Sequence, residues 1–162
     1  MKTRIVSIAL VVLASSVVLA QQQVSVKFIG QGDDGYSFNI QGGIQGAAAG
    51  HLLNSWTLGY GTFGDPGTKF LAYCLTPTQI IGNPNPWNAD RNYQANYGSI
   101  GWLANLPVAN TFDKASVQVA IWMVQGNVIT AGDAGVINNA TNLAALSLNK
   151  TGAVYEYLRV PG

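Results

Sequence analysis

The segment from Val117 to Val124 is the feature of this sequence that most constrains its fold. All but one of its side chains are apolar, so a helix here has almost no polar face. Thr111 or Asp113 is a suitable N-cap, and the helix is expected to run to Gln125 and end before Gly126. A helix of this kind is stable in a globular protein only when other elements enclose it. We therefore predict a buried helix with the rest of the domain packed around it.

The chain before this helix has the pattern of β-strands. Apolar and polar residues alternate over residues 24–28 and again over 36–40, and the Asp-Asp-Gly turn signal at 33–35 lies between them. This arrangement predicts a β-hairpin. Residues 53–60 predict a further strand. Residues 69–75 predict a strand that is apolar on both faces and therefore central and buried in its sheet.

The second half of the chain has the pattern of helices. Prolines and asparagines predict a long irregular loop over residues 76–92, and Pro107 ends a short predicted helix at 99–106. Residues 133–148 predict another helix, whereas 154–158 fit a strand or a terminal turn equally well. The expected fold class is α+β, with an antiparallel β-rich N-terminal part, sandwich or barrel-like, and a small helical part after residue 98.

The N-terminus has the pattern of a secretory signal peptide. Two cations precede the apolar run from Ile5 to Leu19, and Ala20 provides a small residue at the cleavage site before a polar stretch. A membrane anchor is the alternative, but the run is short for a bilayer and has no basic flank after it. We expect residues 1–20 to be removed and residues 21–162 to form a single domain without a transmembrane segment.

The charge balance argues against nucleic acid and anionic lipid as partners. Removal of Lys2 and Arg4 leaves six basic against seven acidic residues, with no basic stripe. Charged residues make up only 9% of the chain, which suits a secreted, matrix-facing protein. The last residues, Arg159 to Gly162, show neither a sorting motif nor a hydrophobic tail. The expected location is therefore extracellular, or at the cell surface through noncovalent contacts.

Two residues are unusual for their surroundings. Cys74 is the single cysteine of an exported chain, so it cannot form an internal disulfide. It is a buried small hydrophobe, an intermolecular partner or a chemically committed thiol. Gln118 lies in the apolar helix, where its amide needs hydrogen-bond partners. It either caps a neighbouring strand or loop through backbone hydrogen bonds, or takes part in chemistry.

A chemical link between the two residues is possible in principle. A cysteine thiolate can attack the side-chain carbonyl of glutamine, expel ammonia and leave an intramolecular thioester. An amide is a poor electrophile, so the reaction depends on positioning, and well-oriented groups reach effective molarities of ~10⁵ to 10⁸ M. A buried pocket with little water would then protect the thioester from hydrolysis.

The sequences around these residues resemble bacterial thioester domains, which occur in Gram-positive surface adhesins and related exported proteins. One family signature is an aromatic residue or Leu, then Cys, then a hydrophobe, and Tyr73-Cys74-Leu75 matches it. The second signature fixes five positions on a helix, which are matched by Ser116, Gln118, Ala120, Ile121 and Trp122. The resemblance covers residues 70 to 126.

A third family signature has a glutamine among hydrophobes, and its nearest match is the segment from Tyr93 to Tyr97. Asn96 departs from that pattern, so the resemblance assigns no role to Gln94. Trp122 lies one turn after Gln118, where it either shields a thioester from water or packs as a core aromatic.

The resemblance implies that Cys74 accepts the acyl group and that Gln118 donates it. The thioester would then react with a lysine amine of a partner surface protein and form a lasting isopeptide-type bond. This is single-turnover covalent binding and not enzymatic catalysis, and it involves no cofactor. The alternative from a different class is an envelope or matrix structural protein that has the same fold without the Cys74–Gln118 link.

A hydrolase that uses Cys74 is the least favoured interpretation. His51 is the single histidine and has no acidic residue near it in sequence, so no general base stands in a recognisable relation to the thiol. The aspartates show no metal-ligand spacing, although a calcium site in a loop is compatible with them. The glycines at 42–46 lack the strand-to-helix context of a nucleotide-binding loop.

The signal-peptide interpretation predicts an exported protein whose first residue is Gln21. Replacing Ala20 with Lys places a long charged side chain at the cleavage position and should abolish processing. Intact-mass spectrometry of the exported protein measures the cleavage site whether or not Gln21 has cyclised, with Lys27→Ala, a change in the mature part, as the control. An exported product that still carries residues 1–20 would contradict the prediction.

Overall fold

A computed structural model describes residues 22–31, 35–50, 52–56, 69–75, 77, 87–94, 98–151 and 155–159. These residues form eight strands and three helices, so the predicted α+β class is confirmed. The predicted signal peptide lies outside the described residues. In chain order the elements are β1 (Gln22–Gln31), β2 (Ser37–Ile40), β3 (Ile44–Ala48), β4 (Leu52–Trp56), β5 (Lys69–Ala72), β6 (Trp87–Gln94), α1 (Gly98–Ala104), α2 (Thr111–Val124), β7 (Ile129–Ala131), α3 (Ala134–Ser147) and β8 (Tyr155–Arg159).

The strands form two antiparallel sheets within the described part of the chain. The larger sheet has the order β5-β4-β1-β6-β8, and the smaller has the order β3-β2-β7. The smaller sheet includes a strand that lies between α2 and α3 in sequence, and the Gln41 N–H donates to the Val128 carbonyl at its end, 2.8 Å away. The smaller sheet is therefore tied to the end of α2.

The predicted hairpin between residues 24–28 and 36–40 is wrong. Both segments are strands, but β1 pairs with β4 and β6, whereas β2 pairs with β3 and β7 in the other sheet. Alternation of apolar and polar residues reports a half-buried strand and does not specify its neighbour. The hairpin that forms is β2–β3, which is closed by a bond from the Ala49 N–H to the Tyr36 carbonyl.

The prediction that residues 69–75 form a central strand is also wrong. β5 ends at Ala72, pairs only with β4 among the described strands, and leaves the Leu71 side chain 53% exposed. Tyr73 and Leu75 continue past the strand and pack, half-buried, against the helical core. The segment is apolar because its last residues leave the sheet and contact the helices.

The predicted loop at residues 76–92 is wrong in its last part, because β6 begins at Trp87 and pairs with β1 and β8. Residues 76 and 78–86 lie outside the described part. Of the segment at 154–158, which fits a strand or a turn by sequence, residues 155–158 belong to the strand β8, and residue 154 lies outside the described part.

The helical predictions agree closely with the structure. α1 ends at Ala104, before Pro107, and α3 begins after its N-cap Asp133. The predicted N-cap of α2 is wrong: Asn110, in an extended conformation, accepts a bond from the Asp113 N–H at 2.8 Å. In return, the Asp113 carboxylate accepts from the Ala109 N–H at 3.3 Å.

α2 lies at the centre of the helical part, as its sequence requires. Its eight consecutive residues from Ala115 to Trp122 are all buried. The six apolar residues among them form one cluster with Phe38 and Ile40 of β2, Leu103 of α1 and residues of α3, among them Val136 and Ala140. Among the described helices, none is long and apolar enough to cross a bilayer.

The packing of Phe38 against Gly132 gives a testable prediction. Gly132 has φ +151°, and a Cβ built there would overlap the Phe38 ring, which is itself buried. Gly132→Ala therefore combines backbone strain with a clash in the core, and should lower the free energy of unfolding by about 3 kcal/mol or more.

The matched control is Gly43→Ala in the β2–β3 turn. Gly43 has φ +92°, and a Cβ there has no neighbouring atom within 4 Å. This variant has only the backbone strain and no clash, so its free energy of unfolding should fall by about 1–2 kcal/mol. Urea unfolding measures both variants, and equal losses would contradict the assigned clash.

Candidate functional site

Gln118 differs from the other buried polar residues of the described core. Three polar side chains are buried there: Ser116, Gln118 and Ser147. Both serines donate to carbonyls of their own helices, those of Phe112 and Ala144. The Gln118 amide instead bonds to a residue 44 positions away in sequence. It therefore links α2 to a different part of the chain.

The partner of Gln118 is Cys74, and both ends of the amide contact it. The Cys74 N–H donates to Gln118 Oε1 at 2.7 Å, and Gln118 Nε2 donates to the Cys74 carbonyl at 2.6 Å. This is the pattern of two bonds that a residue exchanges with a neighbouring strand in an antiparallel pair. The amide plane of Gln118 is thereby fixed directly opposite the residue that carries the thiol.

Two further side chains of α2 bond to the same segment. Trp122 Nε1 donates to the Cys74 carbonyl at 2.9 Å, and Gln125 Nε2 donates to the Leu75 carbonyl at 3.0 Å. With Gln118 they occupy positions i, i+4 and i+7, which lie along one edge of a helix. We call these three residues the α2 polar edge. It binds consecutive main-chain groups of residues 74 and 75.

The surroundings of the contact are apolar on the helix side. Gln118 is only 1% exposed, and its helical neighbours Val117, Val119, Ala120 and Ile121 are fully buried. Hydrogen bonds are stronger in such a low-dielectric environment than in water, and an amide without partners would be costly there. Cys74, by contrast, is half-buried, so the segment that carries the thiol remains partly accessible to solvent.

The structure brings most of the sequence-predicted site together. Cys74 and Gln118 are in contact, and Trp122 is both a core aromatic and a hydrogen-bond donor to Cys74. Tyr73 and Leu75 flank the thiol and pack against the core, and the matched positions Ala120 and Ile121 are buried in α2.

Gln125 is a site residue that neither matched signature includes. The signal that could have found it is its spacing of seven residues from Gln118, which puts both amides on the same edge of α2. His51 and the side chain of Gln94 lie outside the described residues.

The hydrogen bond from the Cys74 N–H affects how readily the Gln118 carbonyl can be attacked by a nucleophile. A hydrogen-bond donor aimed at a carbonyl oxygen stabilises the negative charge that develops there when a nucleophile attacks the carbonyl carbon. The Cys74 N–H is such a donor for the Gln118 carbonyl. The same residue therefore carries a thiol and a main-chain donor that bonds to the carbonyl of one buried amide.

The part of the chain that the structure describes contains no group of three or more His, Cys, Asp or Glu residues that could hold a metal ion. Comparison with protein-family models, with curated proteins and with solved structures found no match.

The geometry predicts an unusual pH dependence for Gln118→Glu, tested in the Cys74→Ala background so that no covalent link can form. A carboxyl group at this buried position faces the Cys74 carbonyl oxygen, so both burial and that oxygen raise its folded-state pKa. When protonated, it can accept from the residue 74 N–H and donate to its carbonyl, as the amide does.

The variant should therefore be close to its background in stability at acidic pH. Its stability should fall as pH rises from about 4.3, the pKa of an unfolded glutamate, to the raised folded pKa, and the loss should reach about 2–4 kcal/mol. Urea unfolding at a series of pH values measures this. Gln45→Glu, at an exposed position of β3, is the control. A Gln118→Glu profile as flat as that of the control would contradict the assigned geometry.

Proposed function

We propose that this protein is an exported covalent-capture module in which Cys74 and Gln118 form an internal thioester. The observation that carries the proposal is the double hydrogen bond between the Gln118 amide and the main chain of Cys74. It holds the two reacting residues together before any chemistry occurs. Contact of this kind is what turns an unreactive amide into an accessible electrophile.

Thioester formation requires one acyl transfer, from the amide nitrogen of Gln118 to the Cys74 sulfur. The Cys74 sulfur attacks the Gln118 carbonyl carbon while the Cys74 N–H stabilises the developing negative charge on Oε1. The C–N bond of the amide breaks, and the nitrogen leaves as ammonia with the thiol proton. The product joins the Cys74 sulfur to the former Gln118 carbonyl.

Capture of a partner transfers the acyl group from the Cys74 sulfur back to a nitrogen. An amine, such as the side chain of a lysine on a surface protein, attacks the thioester carbonyl, forms an amide bond and releases the Cys74 thiol. The buried apolar neighbours of Gln118 limit the access of water, and the half-buried Cys74 leaves an approach for the amine. One molecule of the protein is consumed for each bond formed.

A second candidate function is supported by the same contact. The two bonds pair the amide oxygen and nitrogen of Gln118, as a purely structural clamp would do. In that case the protein is an extracellular structural module and the thiol stays unmodified. The mass of the protein separates the two candidates.

The thioester proposal predicts that the purified mature protein is lighter than its sequence by one ammonia. An N-terminal glutamine also loses ammonia when it cyclises, so the reference is the Cys74→Ala variant, which has the same N-terminus. Intact-mass spectrometry should show one additional ammonia loss in the natural protein alone. Cys74→Ala keeps the main-chain partners of Gln118, so it should fold.

Treatment with methylamine should raise the mass of the natural protein by one methylamine and expose one thiol, with no effect on Cys74→Ala. Gln118→Glu is a second control, because a carboxylate is not attacked by the thiol. A natural protein without the additional loss, and with one thiol that titrates under native conditions, would overturn the thioester proposal in favour of the structural one.

A further inference from the structure

The Cys74 carbonyl accepts two hydrogen bonds, and only one of them survives thioester formation. Gln118 Nε2 and Trp122 Nε1 both donate to this oxygen, at 2.6 and 2.9 Å. Nε2 is the atom that leaves as ammonia. After its departure, the indole N–H of Trp122 is the remaining one of these two donors.

The next carbonyl along the chain is held independently of the reacting amide. Gln125 Nε2 donates to the Leu75 carbonyl at 3.0 Å and to the Ile121 carbonyl of its own helix at 3.3 Å. The side chain is therefore anchored on α2 while it holds residue 75. Trp122 is buried, whereas Gln125 is exposed. The two donors thus restrain the segment from its inner and outer sides.

We infer that Trp122 and Gln125 are positioning residues for acyl transfer at Cys74. They keep the main chain of residues 74 and 75 docked on α2 while the Gln118 amide loses its nitrogen, so that residue 74 stays opposite the reacting side chain. This role rests on the proposed thioester. It requires neither residue to contact the reacting atoms.

The inference predicts slower thioester formation when either donor is removed. The thioester is first opened with concentrated ammonium buffer, which adds ammonia back to the carbonyl and returns the Gln118 amide and the Cys74 thiol. The ammonia is then removed, and intact-mass spectrometry follows the return of the ammonia loss with time. Because each donor contributes about one hydrogen bond, Trp122→Phe and Gln125→Met should each slow this step about 5- to 10-fold.

Two controls separate positioning from general destabilisation. Trp102→Phe makes the same ring reduction in α1, where Trp102 is half-buried beneath the Lys150 ammonium, and should leave the rate unchanged. Gln125→Lys restores a donor at the exposed position and should recover most of the rate lost in Gln125→Met. Rates are compared under conditions in which thermal unfolding shows every variant to be fully folded.

If Trp122→Phe does not fold, the two variants of the exposed residue Gln125 decide the question. The positioning role is overturned, while the thioester stands, if Gln125→Met re-forms the thioester as fast as the natural protein. It is also overturned if Gln125→Lys re-forms the thioester as slowly as Gln125→Met. A natural protein that shows no ammonia loss at all overturns both the thioester and the positioning role.

Discussion

The main-chain N–H and carbonyl of Cys74 form hydrogen bonds with a side chain, whereas in a sheet a neighbouring strand would provide both partners. Once β5 ends at Ala72, the chain leaves the ladder of β4, and the N–H and carbonyl of residue 74 need other partners in a partly buried setting. The Gln118 amide has the same donor and acceptor as a peptide group and takes both positions. The docking of residues 74 and 75 on α2 depends on this exchange.

The features that the sequence predicted are those that arise from local patterns. The apolar run of α2 required burial, Pro107 and Asp133 marked helix boundaries, and a glutamine inside the apolar run required a partner. The two unusual residues alone do not establish that Gln118 contacts Cys74. That expectation came from the resemblance of the sequences around them to thioester domains, and the structure places the two residues in contact.

The features that the sequence did not predict depend on contacts between distant segments. Nothing local in β1 shows that it pairs with β4 and β6 and not with β2, and the Gly- and Ala-rich β3 has no alternation because most of its side chains are not buried. The apolar residues at 73–75 predict a central strand, although they pack against the helical core. Gln125 is an exposed glutamine at a helix end, and its contact with the Leu75 carbonyl depends on a segment 50 residues away.

Because the α2 polar edge holds residues 74 and 75 by their peptide groups, these hydrogen bonds do not involve the side chain of residue 74. Serine or alanine at this position would keep the same main-chain bonds. A single codon change can therefore install or delete a sulfur at a site that is already assembled. A substitution of the Cys74 side chain can thus change the chemistry of this position without removing the contacts that hold it on α2.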